Sequence, residues 1–207
     1  MAIKLVLLDS GHGGESQGVY NCLAGGKSHA FKGGIFMEGV NNNLIVQELT
    51  RELNLNCGFS TRRVDVDHPL DTTLNRRVEE ANMHYDLFRS KYGLKHDEIL
   101  LLSIHSNAFS DTSVHGFECY ANFNNRLTVN IGTRLCEKVS WTRNRGTKDG
   151  MHLYMVRKPK ANSILVELGF FTHEGDRKFL TSEEGIQHVA SYIKQIIQEF
   201  NHEQDNS

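Results

Sequence analysis

Three short apolar segments constrain the fold of this 207-residue chain more than any other feature. They cover residues 3–8, 99–104 and 164–168, and each is a nearly continuous run of apolar side chains that ends in a polar or glycine-containing stretch. Such runs are typical of strands that are covered on both faces. The sequence therefore predicts buried strands, each ending at a polar edge.

Four segments with helical periodicity alternate with these strands. Their apolar side chains recur at steps of three and four residues, which places each set on one helix face: Ile45, Leu49 and Leu53; Leu74, Val78, Ala81, Tyr85, Phe88 and Tyr92; Ile131, Leu135 and Val139; and Ile186, Val189, Ala190, Ile193, Ile197 and Phe200. Thr181 and Glu184 have the spacing of a capping box and predict the start of the last helix. The alternation predicts an α/β fold, with a central, mostly parallel or mixed β-sheet flanked by α-helices.

No repeat and no Pro/Ser-rich linker divides the chain. We expect a single domain over residues 1–200, followed by a solvated C-terminal tail, "NHEQDNS", over residues 201–207. Residues 13–37 contain many glycines and little periodicity, and they predict a long loop. Loops of this length inside a compact domain are usually functional or disordered.

Composition excludes several classes of function. A formal net charge of −2 provides no electrostatic basis for binding nucleic acid or acidic lipid. The four cysteines (Cys22, Cys57, Cys119 and Cys136) form no CxxC pair, and we expect free thiols in a reducing compartment. No apolar stretch approaches membrane-spanning length, and "MAIKLVLLD" enters a glycine turn without the pattern of a signal peptide. The expectation is a soluble protein that is made in the cytoplasm.

Polar side chains of metal-ligand type stand where the predicted strands end. His12 follows the first strand in "LLDSGHGG", His105 ends the second in "SIHSNA", and Glu167 lies within or at the end of the third. Glu38, in "EGVNNNL", stands where the glycine-rich loop enters the next helix. Because ligands of such sheets bind at the carboxyl ends of strands, we expect these four residues to lie close together.

Two imidazoles and one carboxylate suit Zn²⁺ with a fourth position left for water, which is the catalytic pattern. A second carboxylate outside that set would take a proton from the water and deliver it to a leaving amine. The best division makes His12, Glu38 and His105 ligands and Glu167 the acid/base, although spacing alone does not distinguish the two glutamates. Glu167 is the most informative, because an acid within "ILVELGFF" needs a partner or a function.

Each candidate also has a simpler interpretation. His12 alone is consistent with a solvated turn imidazole, and Glu38 alone with an ordinary first-turn glutamate. Asn107 and Arg145 fit substrate contact no better than a turn side chain and a solvated cation. His115 and His173 are expected in surface or supporting positions, and the remaining histidines are expected to be solvated: His29, His68, His84, His96, His152, His188 and His202.

Taken together, the motifs resemble those of the zinc-dependent N-acetylmuramoyl-L-alanine amidases of the Amidase_3 family, which hydrolyse peptidoglycan. The resemblance rests on "LLDSGHGG", "EGVNNNL", "STRRVD", "LNRRVEEAN", "SIHSNA", "GFECY", "NRGTK" and "ILVELGFFTHEGDRKFL", which follow the family's order from residue 5 to about residue 200. It implies zinc on His12, Glu38 and His105, with Glu167 as general acid/base. The implied reaction is hydrolysis of the amide between N-acetylmuramic acid and L-alanine of the stem peptide.

Some positions depart from the family's usual pattern. Ser10 stands where proline is common, His173 stands where asparagine is frequent, and residues 161–163 replace a more apolar approach to the last strand. None of these changes removes a ligand, so they bear on substrate preference rather than on the chemistry.

The resemblance implies peptidoglycan as the partner, with no nucleic acid and no membrane insertion. A wall hydrolase without an export signal suggests a phage or prophage endolysin released through a holin, or a bacterial enzyme that acts from within a mother cell. Two alternatives stay open: a non-catalytic wall-binding protein of the same fold, and a zinc peptidase that cuts within the stem peptide.

Overall fold

The computed structural model of the chain describes residues 2–55 and 58–205. Its strands are β1 (Leu5–Ser10), β2 (Glu15–Ser16), β3 (Val19–Tyr20), β4 (Ser28–Phe31), β5 (Gly34–Met37), β6 (Ser60–Arg63), β7 (Ile99–Asn107), β8 (Phe117–Ala121), β9 (Asn144–Asp149) and β10 (Asn162–Phe170). Its helices are α1 (Glu38–Asn54), α2 (Leu74–Tyr92), α3 (Arg126–Glu137), α4 (Tyr154–Arg157), α5 (Glu174–Thr181) and α6 (Glu183–Asp205).

The central sheet has the strand order β6-β1-β7-β10-β8-β9. The first four of these strands run parallel, β8 is antiparallel to β10, and β9 is parallel to β8. The three apolar segments of the sequence form β1, β7 and β10, which are neighbours. The predicted mostly parallel or mixed sheet is confirmed, and the carboxyl ends of its three central strands meet at one edge.

Hydrophobic cores cover both faces of this sheet. On one face, Leu100, Leu102 and Ile104 of β7 pack in a core with α1, α3 and α6. On the other face, Ile99 and Leu101 of the same strand pack with α2. Because successive side chains of a strand point to opposite faces, the continuous apolar run of β7 is required by both cores.

The start of α6 differs from the prediction. Thr181 is the last residue of α5, and its hydroxyl donates to the carbonyl of Arg177 at 2.9 Å. The side chain of Ser182 instead accepts a hydrogen bond from the backbone N–H of Gly185 at 3.0 Å. The predicted capping box of Thr181 and Glu184 is therefore wrong, because the short helix α5 already uses Thr181 in its own last turn.

The predicted tail over residues 201–207 is wrong for residues 201–205, which continue α6. The amide of Asn201 donates to the carbonyl of Ile3 at 2.9 Å and accepts from its N–H at 2.7 Å. This pair of bonds joins the last helix to the segment that enters β1. Residues 206 and 207 lie outside the described residues.

The predicted loop over residues 13–37 contains two small antiparallel hairpins, in which β2 pairs with β3 and β4 pairs with β5. Periodicity did not reveal them because their strands are two to four residues long and mostly exposed.

Cys22, Cys119 and Cys136 are free thiols, as expected, and Cys57 lies outside the described residues. Over residues 2–55 and 58–205, no helix has the length and apolar character needed to cross a membrane.

Candidate metal centre and proton-transfer site

The turn after β1 brings His12 to the carboxyl edge of the sheet. His12 has a φ of 66°, in the left-handed region that few residues with side chains adopt. A Cβ on the preceding Gly11 would overlap the ring of His105 at the end of β7. Glycine at position 11 therefore allows the turn to approach β7, and the centroids of the two imidazole rings lie 5.1 Å apart.

Glu38 is the first residue of α1 and is fully buried. Its Oε1 lies 3.4 Å from Nε2 of His12 and 3.2 Å from Nδ1 of His105. A Cβ on Gly39 would overlap the carbonyl oxygen of Gly13, so this helix start can reach the His12 turn only with glycine there. Burial opposes ionisation of Glu38, but the nearby imidazoles of His105 and His12 outweigh it and hold its pKa well below the ordinary value.

Ligand atoms of His12, Glu38 and His105 all lie within 4.8 Å of one another. Nε2 of His12 and Oε2 of Glu38 are buried and have no hydrogen-bond partner among the described residues, although Lys27 Nζ lies 3.5 Å from Oε2. Buried polar atoms without partners are rare and costly in proteins, and a bound ion is one way to satisfy them. Two imidazole nitrogens and one carboxylate oxygen fit Zn²⁺, with one position left open.

Cys22 and Asp71 form a second group of potential ligands with His12. Sγ of Cys22 lies 3.7 Å from Nδ1 of His12. The carboxylate of Asp71, however, already accepts hydrogen bonds from the N–H of Leu23 at 2.8 Å and from Arg77 at 3.0 Å. The group that contains Glu38 is therefore the better donor set.

Glu167 lies beside this donor set because of strand register. It is the partner of His105 on β7 and of Glu118 on β8, so all three side chains share one face of the sheet. Its Oε2 is buried and has no hydrogen-bond partner among the described residues. Burial raises the pKa of Glu167 to about 7, against a lowering by the charge of His105. A carboxyl group that titrates near neutrality can both accept and donate a proton.

Arg77 of α2 supports the His12 turn, and it was not singled out from the sequence. Its buried guanidinium pairs with Asp9 and donates to the carbonyls of Ser10 at 2.6 Å and His12 at 3.0 Å. The hydroxyl of Ser103 donates to the other oxygen of Asp9 at 2.5 Å. "LNRRVEEAN" contains this arginine, but the helical periodicity does not reveal that it turns inward.

Glu118 of β8 is a second residue that was not singled out. Its buried carboxylate accepts hydrogen bonds from Asn107 at 3.0 Å, Tyr120 at 2.8 Å, Arg145 at 2.7 Å and Lys148 at 2.6 Å. Burial would raise the pKa of Glu118, but these four donors hold it below the ordinary value. Asn107 and Arg145, whose roles the sequence left open, both contact this carboxylate.

The other histidines lie outside this centre. His115 and His173 stack with ring centroids 4.7 Å apart, and Nδ1 of His173 accepts from the N–H of Asp176 at 3.2 Å, which caps α5. His68 and His84 were expected to be solvated, but one ring nitrogen of each is buried without a hydrogen-bond partner among the described residues. For these two residues the expectation was wrong.

A cleft of about 460 Å³ opens beside His12 and His105. Its wall combines the first turn of α2 with exposed apolar side chains, and it is lined in part by Leu23, Thr73, Leu74, Asn75 and Tyr154. The cleft provides room for a substrate next to the donor set.

Comparison with known proteins places this chain in a family. Residues 6–199 match the family described as N-acetylmuramoyl-L-alanine amidase. The uncharacterized protein YqiI of Bacillus subtilis (strain 168) is 31% identical over 198 residues, which cover 92% of this chain and 81% of that protein.

Solved structures show the same fold. An N-acetylmuramoyl-L-alanine amidase from Clostridium difficile 630 has a TM-score of 0.74 at 20% identity, covering 97% of each chain. The catalytic domain of the CD27L endolysin, which targets Clostridia difficile, has a TM-score of 0.67 at 21% identity, covering 95% of this chain and 97% of that domain.

Proposed function

Because this chain belongs to the N-acetylmuramoyl-L-alanine amidase family, we propose that it cleaves the amide between N-acetylmuramic acid and L-alanine with a zinc ion on His12, Glu38 and His105. Family membership makes the chain a peptidoglycan hydrolase, and the zinc ligands and the acid/base are the new assignments. One observation supports them. The ligand atoms of His12, Glu38 and His105 lie within 4.8 Å of one another, and Glu167, the register partner of His105, has a buried carboxyl oxygen without a hydrogen-bond partner among the described residues.

When bound, zinc supplies polarisation of the scissile carbonyl and a lower pKa for an attacking water. Glu167 takes a proton from this water through its buried Oε2 as the oxygen adds to the carbonyl carbon. The same carboxyl then delivers the proton to the alanine nitrogen as the C–N bond breaks. The products are the lactyl carboxylic acid of the sugar and a stem peptide with a free N-terminal alanine.

The remaining residues of the site orient these groups. Arg77 and Asp9 hold the turn that carries His12, and the hydrogen bond from the N–H of Ser106 to Glu38 at 3.3 Å helps to fix the carboxylate. The cleft beside His12 and His105 receives the part of the substrate on one side of the scissile amide.

We also propose that the enzyme is a phage or prophage endolysin, released from the cytoplasm through a holin. The likeness to the catalytic domain of CD27L supports this role. In a Gram-positive host, expression together with a holin is expected to clear the culture, whereas expression alone leaves its turbidity unchanged. Clearing without a holin would contradict release through a holin.

The test of the activity is the loss of turbidity of purified Gram-positive walls, with the released amino groups identified. Zinc-loaded wild type is expected to clear the walls and expose N-terminal alanine without new reducing sugar. Glu167→Gln and chelator-treated protein are expected to fail, whereas Glu174→Gln, on an exposed ion pair with Lys178, keeps full activity.

Other outcomes identify the alternatives. Binding to walls without release of amino groups would assign a wall-binding protein of the same fold. New N-termini other than alanine would assign a peptidase that cuts within the stem peptide. Clearance by Glu167→Gln at the wild-type rate would show that the acid/base is another group.

A further inference from the structure

We propose that Arg145 and Lys148 form a recognition site for a carboxylate of the stem peptide, close to the scissile amide. This inference deepens the proposed function and rests on it. The site would make the enzyme prefer stem peptides whose second residue keeps its α-carboxylate over those in which that group is amidated.

Strand order places the two cations beside the reacting groups. His105 of β7, Glu167 of β10 and Glu118 of β8 are register partners on one face of the sheet. Lys148 of β9 pairs in register with Tyr120, two residues from Glu118, and therefore lies on this face too. Neighbouring strands are about 4.8 Å apart, so β9 lies roughly 10 Å from β10.

The charges of this cluster do not cancel. Within residues 2–55 and 58–205, Glu118 is the one carboxylate that Arg145 and Lys148 contact, and it also accepts hydrogen bonds from Asn107 and Tyr120. One cation would neutralise Glu118, and the second leaves a net positive charge on this part of the sheet when Glu167, the register partner of Glu118, is protonated.

Both cations retain donors for a ligand. The side chains of Arg145 and Lys148 are 28% and 38% exposed, whereas that of Glu118 is 2% exposed. Among the described residues, Nε of Arg145 donates a hydrogen bond to Glu118, and its Nη1 makes one longer contact with the carbonyl of His115, at 3.5 Å. A guanidinium with free N–H groups beside an ammonium suits a planar carboxylate.

Aromatic rings hold the two cations in place. The guanidinium of Arg145 lies 4.9 Å from the ring centroid of Phe170, and Nζ of Lys148 lies 5.6 Å from that of Tyr120. Together with Glu118, these contacts order the cations before a ligand arrives. Prior ordering reduces the entropy that binding would otherwise cost.

The distance from the scissile amide to the cations on β9 indicates which carboxylate of the stem peptide they would bind. Along an extended chain, the α-carboxylate of the second stem residue lies on the order of 8 Å from the scissile carbon. The scissile carbon would lie between the zinc ligands and Glu167 of β10, and long side chains on β9, roughly 10 Å from β10, reach back toward Glu118 and shorten the remaining gap. Carboxylates farther along the stem lie beyond this spacing.

Two soluble substrates test the inference: N-acetylmuramoyl-L-alanyl-D-isoglutamate and the corresponding isoglutamine. We expect wild type to cleave the acid with a kcat/KM about tenfold above that of the amide, as one charge-assisted contact predicts. Lys148→Met and Arg145→Gln are expected to lose this preference by slowing the acid alone. Lys160→Met, which removes an exposed lysine paired with Asp86, should keep it.

Binding supplies a second readout that needs no turnover. Calorimetric titration of zinc-loaded Glu167→Gln protein should show tighter binding of the acid than of the amide. In the double variant that also carries Lys148→Met, the two compounds should bind equally. Equal binding of both compounds overturns the inference, as does an equal loss on both substrates in Lys148→Met, which would limit the cluster to supporting Glu118. If wild type clears walls but shows no preference, this inference fails alone; if it clears no walls, the proposed function fails.

Discussion

Asp9 and Arg77 form a buried ion pair directly beneath the turn that carries His12. The pair joins the end of β1 to α2, and the arginine also donates to the backbone of the turn itself. A residue 65 positions from His12 in the sequence thus helps to orient a candidate zinc ligand.

Asp9→Asn is expected to lower the free energy of unfolding by about 2 kcal/mol at pH 7, because it removes one of the two carboxylates that pair with the buried guanidinium of Arg77 and leaves Asp71 as the other. Urea denaturation of chelated protein measures the change. Asp86→Asn, on an exposed pair with Lys160, is the matched control and should cost less than about 1 kcal/mol. Equal losses of stability in the two variants would show that the buried ion pair stabilises the fold no more than an exposed one.

The stabilisation by Asp9 should also depend on pH. Burial would raise the pKa of Asp9, but Arg77, His105 and Ser103 together hold it below its ordinary value of 3.8. The folded state therefore binds this proton less readily than the unfolded chain, so the contribution is complete above about pH 4 and is lost as the pH falls further. The difference between wild type and Asp9→Asn should shrink below pH 4; a constant difference contradicts the assignment.

Glu167 changes the stability with pH in the opposite direction to Asp9. Burial raises its pKa to about 7, from an ordinary value of 4.5. The ionised carboxyl therefore destabilises the chelated protein: the penalty is absent below pH 4.5, grows between pH 4.5 and 7, and is complete above pH 7. Glu167→Gln should stabilise chelated protein by about 2–3 kcal/mol more at pH 8 than at pH 4.5. Urea denaturation at both values tests this, and Glu174→Gln should show no such gain.

Gly11→Ala should weaken zinc binding without changing any ligand. The added Cβ would overlap the ring of His105 and displace it from His12 and Glu38. Changes that misplace a ligand typically cost about 10- to 100-fold in metal affinity. Competition with a zinc chelator measures the loss. Gly34→Ala, whose Cβ meets only an ordinary contact with Phe31, should bind zinc as wild type does; equal affinity of both variants would contradict the close approach.

Removal of a ligand should abolish zinc binding. Wild type is expected to retain about one zinc per chain after dialysis, and His12→Ala, His105→Ala and Glu38→Gln are each expected to retain almost none. Metal analysis of the dialysed proteins gives the stoichiometry. His188→Ala, an exposed histidine remote from the donor set in the sequence, serves as the control. Full zinc content in any of the three ligand variants would remove that residue from the site.

The sequence by itself determined the central strands and the four residues of the candidate site. Strands buried on both faces favour apolar side chains at nearly every position, so β1, β7 and β10 were visible as nearly continuous runs. The polar residues that end or interrupt these runs, such as His105 and Glu167, were conspicuous for the same reason. The mostly exposed hairpins of residues 13–37 carried no such signal.

Only the tertiary structure decided which distant groups meet. The contact of Arg77 with Asp9 spans 68 positions, and that of Lys148 with Glu118 spans 30. Local periodicity reports the face on which a side chain lies, but strand order and register decide its partner. The sequence therefore specified the chemistry available at the edge of the sheet, and the order of β7, β10, β8 and β9 placed the cations of β9 on Glu118, in the strand next to that of Glu167.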